Sequence, residues 1–111
     1  MQIKEYTEKS IYTIEIIGDL DASSAIQLDQ ILEKVVENGT KKVLIDCKNL
    51  MYIASAGLGV FVSHIETFKE QNVFCVLYDM SDKVKNIFQI LGLDTLLKIV
   101  KDRETALQIV Q

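Results

Sequence analysis

A chain of 111 residues, 49% apolar and 25% charged, holds enough apolar surface for one hydrophobic core and too little for two. One domain over residues 1–111 is therefore expected, and a disordered or disulfide-scaffold class is excluded. The net charge of −4, with lysines scattered instead of clustered, leaves no basic footprint for direct nucleic-acid binding.

The opening Met1-Gln2-Ile3-Lys4-Glu5 does not form a secretory signal, and no stretch approaches membrane-spanning length, so the expectation is a cytoplasmic protein with no membrane contact. Ile3 to Tyr6 reads as a first strand paired with Ile11 to Ile17. In the latter, Tyr12, Ile14 and Ile16 share one face, with Thr13 and Glu15 turned to solvent. After Gly18, Ala22 to Glu37 carries Ala25, Leu28, Leu32, Val35 and Val36 at helical spacing. Ser24 with Gln27 fits a capping box, and Gly39 suits the position past the end. Val43-Leu44-Ile45, ending at Asp46, and Phe74 to Tyr78 are unbroken apolar runs, which implies strands covered on both faces.

Between those runs, Leu58, Phe61, Val62, Ile65 and Phe68 recur at helical spacing, so a helix starts near Ser55; His64 falls off that stripe and reads as exposed. Ser81 opens a third helix with Val84, Ile87, Phe88 and Leu91 inward and Gly92 behind it. Leu96 to Val100 is a last strand, and Asp102 to Val110 a short helix. The sum is an α/β domain opening with a β-hairpin: a mixed, mostly parallel sheet of four to five strands with about four helices.

Two segments carry chemistry. In Met51-Tyr52-Ile53-Ala54-Ser55-Ala56-Gly57-Leu58-Gly59-Val60 a hydroxyl and two glycines lie between a strand-like run and an amphipathic helix. A serine there has a plain role as a cap, but a helix N-terminus also tolerates an anion, so a phosphoryl group can sit there without unfolding the domain. The second segment, Gly18-Asp19-Leu20-Asp21-Ala22-Ser23-Ser24, reads as a turn plus N-cap. Parallel central strands gather their C-terminal ends at one edge, which brings Asp21 near Ser55.

With these two motifs in this order, the chain over nearly its whole length resembles the STAS domain of bacterial anti-sigma factor antagonists. In that family the second motif typically reads Asp-Ser-Ser or Asp-Ser-Thr before Gly-Leu-Gly, and an anti-sigma factor that is also a serine kinase phosphorylates the serine after the Asp. By position that serine is Ser55. The resemblance implies that the unphosphorylated form binds the anti-sigma factor and that a serine phosphatase resets the phosphorylated form. The implied partner-binding residues are Asp21, Ser23, Ser24, Ala54, Ser55, Ala56, Gly57 and Leu58. The chain departs from the pattern at Ala54, where Asp is usual, and at Ala56, where a second hydroxyl is usual, so Ser55 is the motif's only hydroxyl.

Other chemistries have less support. Asp46, with Asp19 and Asp21, suggests an aspartyl-phosphate receiver, but a receiver opens with one strand and a helix, not a hairpin. Cys47 and Cys75 are too distant in sequence for a CxxC pair, and with His64 the sole histidine no metal site is expected. His64 is nine residues beyond Ser55 on one helix, out of reach as its base, and no Walker or dinucleotide loop occurs. No catalytic residue and no cofactor are expected; ATP and magnesium would belong to the partner. Related domains that serve transporters or bind small ligands keep the fold and change the task.

Overall fold

The computed structural model describes residues 2–111. Strands β1 (Gln2–Glu8) and β2 (Ile11–Leu20) form the opening antiparallel hairpin, turned by Lys9 and Ser10 at φ 51° and 67°. There follow α1 (Ala22–Glu37), β3 (Lys42–Asp46), β4 (Leu50–Ile53), α2 (Ser55–Glu70), β5 (Phe74–Tyr78) and α3 (Asp82–Ile90). A single 3-10 turn (Leu93–Thr95), β6 (Lys98–Val100) and α4 (Arg103–Val110) complete the chain. The sheet runs β1-β2-β3-β5-β6, every neighbouring pair after the hairpin being parallel, and β4 pairs with β2.

Among the described residues the sheet thus has six strands, one more than the upper expectation, because β4 is a four-residue strand too short to show alternation. It continues the line of β3 along the same strand: Tyr12 to Glu15 of β2 pair with β3, and Gly18 to Leu20 pair with β4. The change of partner takes place at Gly18, whose φ of 94° is open to glycine and strained for other residues; its N–H donates to the Asn49 carbonyl at 2.9 Å.

Alternate residues of the sheet feed two cores. Ile14, Ile16, Val43, Ile45 and Leu77 meet Leu28 and Leu32 of α1, Phe61 and Phe68 of α2, and Val84 and Phe88 of α3. On the opposite face Ile11, Leu44, Val76 and Tyr78 meet Ala106 and Val110 of α4. Coverage on both sides accounts for the apolar runs Val43 to Ile45 of β3 and Val76 to Tyr78 of β5, whereas Phe74, expected to be covered, starts β5 beyond the helices and is 59% exposed.

Four expectations need correction. Thr13 is not solvated but wholly buried, because α4 covers its face and Arg103 Nη1 donates to its Oγ1 at 3.4 Å and to the Tyr78 hydroxyl at 2.8 Å. His64 is buried: the inward face of α2 is Leu58, Phe61, His64 and Phe68, rotated from the expected stripe so that Val62 is exposed. The imidazole Nε2 lies 2.7 Å from Asp29 Oδ1 of α1, and the pair joins the two helices. Leu91 ends α3 and is exposed, and the last strand starts at Lys98 because Leu93–Thr95 forms a turn ahead of it.

Candidate functional site

The register of β2 against β4 builds the site. Leu20 pairs with Ile53, so both strands end level and their next residues start helices side by side: Asp21 before α1, and Ala54 before α2. The Ala54 N–H donates to the Leu20 carbonyl at 2.9 Å and ties the two helix starts together. Asp21 and Ser55 are therefore gathered at one sheet edge, as the parallel topology implied.

The first helix start is fully occupied. Asp21 Oδ1 accepts from the Ser23 N–H at 3.1 Å and the Ser24 N–H at 3.0 Å, and from the hydroxyls of Ser23 at 2.8 Å and Ser24 at 3.0 Å. Ser24 Oγ accepts in return from the Asp21 N–H at 2.9 Å. The capping box is therefore Asp21 with Ser24, not Ser24 with Gln27, because the helix begins three residues earlier than that reading needs. Donation from the Ser24 backbone, then from the Ser23 and Ser24 hydroxyls, pulls the Asp21 carboxyl down to about 2. Asp21 is a fixed, exposed negative charge.

The second helix start is open. Its N-cap is Ala54, at φ −86° and ψ 167°, and no side chain caps the first turn. Ser55 is the first helical residue, not the cap, and it is exposed. A phosphoryl group on its oxygen would stand where the first-turn N–H groups and the positive helix end favour an anion.

The motif's remaining residues sort by depth. Ser23 and Ala56 are exposed and Ala54 is half-buried, so with Asp21 and Ser55 they present a surface. Ser24, Gly57 and Leu58 are buried and shape that surface from beneath. Gly57 is required by close approach: a Cβ there would stand 2.8 Å from Leu20 Cδ2 and 3.0 Å from Ile53 Cγ1. Gly59, two residues on, faces open space.

Sequence reasoning missed two neighbours of this edge. Met51 and Tyr52 on β4 are 62% and 45% exposed, with the Lys83 ammonium of α3 6.0 Å from the centre of the Tyr52 ring. Two large apolar side chains that the core does not use, adjoining the motif, were the available signal.

The receiver arrangement is not formed. Asp46 Oδ1 accepts from the Lys48 N–H at 3.0 Å in a local turn, and among the described residues no three His, Cys, Asp or Glu side chains are grouped to hold a metal ion. Cys47 is free and buried, and burial pushes its thiol far above the usual range. No helix among the described residues is long and apolar enough to cross a membrane.

A family model described as "STAS domain" matches residues 2–106. The anti-sigma-B factor antagonist of Staphylococcus aureus (strain NCTC 8325 / PS 47) is 25% identical over 104 residues, covering 94% of this chain and 96% of that one. Among solved structures, an anti-sigma factor antagonist from Mycobacterium paratuberculosis superposes with a TM-score of 0.88 at 17% identity, over 98% of this chain and 92% of that one. The phosphorylated form of the Bacillus cell fate determinant SpoIIAA superposes with a TM-score of 0.76 at 17% identity, over 99% and 100%.

Proposed function

This chain belongs to the STAS domain family, and from that premise we propose that it is an anti-sigma factor antagonist whose docking edge is switched by phosphorylation of Ser55. The unphosphorylated chain docks on a kinase-type anti-sigma factor through Asp21, Ser23, Ala54, Ser55 and Ala56, over the buried Ser24, Gly57 and Leu58. That partner transfers the γ-phosphoryl group of ATP to the Ser55 oxygen: the bond between the γ-phosphorus and the β–γ bridging oxygen breaks, the Ser55 O–P bond forms, the hydroxyl proton passes through a base of the partner to solvent, and ADP leaves. The product carries nearly two negative charges and three acceptor oxygens on a docking surface already negative at Asp21, and the cost of desolvating that charge against the partner ends the contact. A serine phosphatase then restores the hydroxyl. The chain performs no chemistry of its own in this scheme and works in the cytoplasm.

The observation that carries the reading is the exposed, uncapped position of Ser55 beside the occupied cap of Asp21. Fold likeness to a structure solved in phosphorylated form, and curated relatives named as antagonists, support it. The test is incubation with ATP, magnesium and serine-kinase anti-sigma factors, followed by mass-spectrometric mapping of the modified residue. Phosphate on Ser55 is the expected result; phosphate elsewhere, or none with any kinase that binds the chain, would refute it.

A further inference from the structure

The outer side of β1 is an open sheet edge. β1 ends the sheet order and pairs with β2 through seven uninterrupted residue pairs, Gln2 with Ile17 to Glu8 with Ile11; among the described residues nothing pairs with its other side. Such an edge offers a row of unpaired N–H and C=O groups to another strand. Three devices that retire an edge are missing: there is no proline, no bulge interrupts the ladder, and every β1 residue but Ile3 is exposed; charge is the one that is present.

The charges on β1 would be guards if they opposed one another across a self-pairing, so their arrangement decides the matter. Two copies joined edge to edge as one antiparallel sheet are related by a two-fold axis normal to the sheet. Opposed residues must then share a face, which permits only registers centred on a residue. Centring on Lys4 or Glu5 sets a like charge against its own copy. Centring on Ile3 or Thr7 keeps only three residues of the strand paired, and centring on Gln2 or Glu8 only one. Centring on Tyr6 pairs Lys4 with Glu8 twice, Glu5 with Thr7 twice, and Tyr6 with Tyr6. Glu5 is already occupied, accepting from the Tyr12 hydroxyl. The Arg103 guanidinium stands 5.6 Å from the Tyr6 ring centre, so Tyr6, and with it Lys4 and Glu8 at the period of a strand, lie on the α4 side of the sheet.

We propose that a second copy of this chain occupies the edge, forming a two-fold dimer in which β1 pairs with β1 about Tyr6. The joint sheet is continuous, and because the copies run antiparallel, the two Ser55 edges open at opposite ends. Both stay free, so dimerisation is independent of the phosphorylation state.

Sedimentation velocity from about 1 µM to about 1 mM tests this, with circular dichroism confirming folded variants. Wild type should dimerise reversibly. Lys4→Glu and Glu8→Lys should each weaken the dimer about tenfold or more, since each turns two attractive pairs into repulsive ones. An equimolar mixture of the two single variants should associate as a heterodimer, because its opposed residues are again complementary. Tyr6→Cys, whose thiols meet at the axis, should oxidise to a disulfide-linked dimer faster than Thr7→Cys. A wild type that stays monomeric throughout, single variants that dimerise like wild type, or equal cross-linking of the two cysteine variants would overturn the proposal.

Discussion

Replacing Ala54 by Asn or Asp should give α2 the cap it lacks. The backbone at Ala54 is extended (φ −86°, ψ 167°), close to the conformation of Asp21 (φ −101°, ψ −171°), which caps α1 with two backbone N–H groups. A side-chain oxygen at position 54 will therefore reach the corresponding N–H groups of α2. An N-cap of this kind contributes about 1 kcal/mol over alanine, which for a domain of this size raises Tm by about 4 °C. Asn should deliver that gain in full. Asp adds attraction to the positive helix end and also meets the Asp21 carboxylate at the adjoining helix start; the two effects oppose each other and both are screened, so its Tm should converge on that of Asn as salt is raised. Thermal melts of the three chains at low and high ionic strength measure both effects. If neither variant raised Tm, the first-turn amides of α2 would already be satisfied and the open-cap account of the Ser55 site would fail.

The two glycines of the motif should respond oppositely to alanine. Gly57→Ala places a methyl 2.8 Å from Leu20 and should destabilise the fold by about 1–2 kcal/mol while displacing Ser55 from Asp21 and weakening partner binding. Gly59→Ala meets nothing and should stabilise by about 0.5–1 kcal/mol; urea titration of both variants checks the pair. Arg103→Met leaves the Tyr78 and Thr13 hydroxyls without their shared donor and should cost about 2 kcal/mol, whereas the same change in a Tyr78→Phe background should cost less, as a double-mutant cycle by denaturation will show. Asp21 titrates at about 2 in the folded chain against an ordinary 3.8, so its stabilisation is complete above the ordinary value and is lost as pH falls toward 2. Asp21→Asn should therefore flatten the fall of Tm between pH 4 and pH 2, relative to wild type.

The residues that were legible in the sequence are those whose neighbours in space are dictated by neighbours in sequence. Val43 to Ile45 and Val76 to Tyr78 announce double coverage because their side chains are apolar or aromatic, and two layers of helices supply it; Phe74, at the start of the same run, lies beyond those layers and is exposed. The gathering of Asp21 and Ser55 at one sheet edge follows from parallel strands, since their C-terminal ends lie on the same side. Thr13 was misread because its partner, Arg103, is ninety residues away and no local pattern signals a buried hydroxyl. His64 was misread for a similar reason: Val62 and Ile65 fit an apolar stripe by spacing, but α1 packs against α2 and rotates the buried face toward the histidine that Asp29 can bind. The empty cap at Ala54 was visible as a departure from the family motif, yet its consequence, a first turn without a side-chain acceptor, required the geometry.

In the proposed switch, charge on Ser55 controls docking and leaves the fold intact. Calorimetric titration of a serine-kinase anti-sigma factor with the chain before and after stoichiometric phosphorylation of Ser55 measures this directly, with thermal melts of both forms alongside. The unphosphorylated form should bind, modification should reduce its affinity about a hundredfold or more, and Tm should change little. Equal affinity of the two forms, or tighter binding by the phosphorylated one, would contradict it.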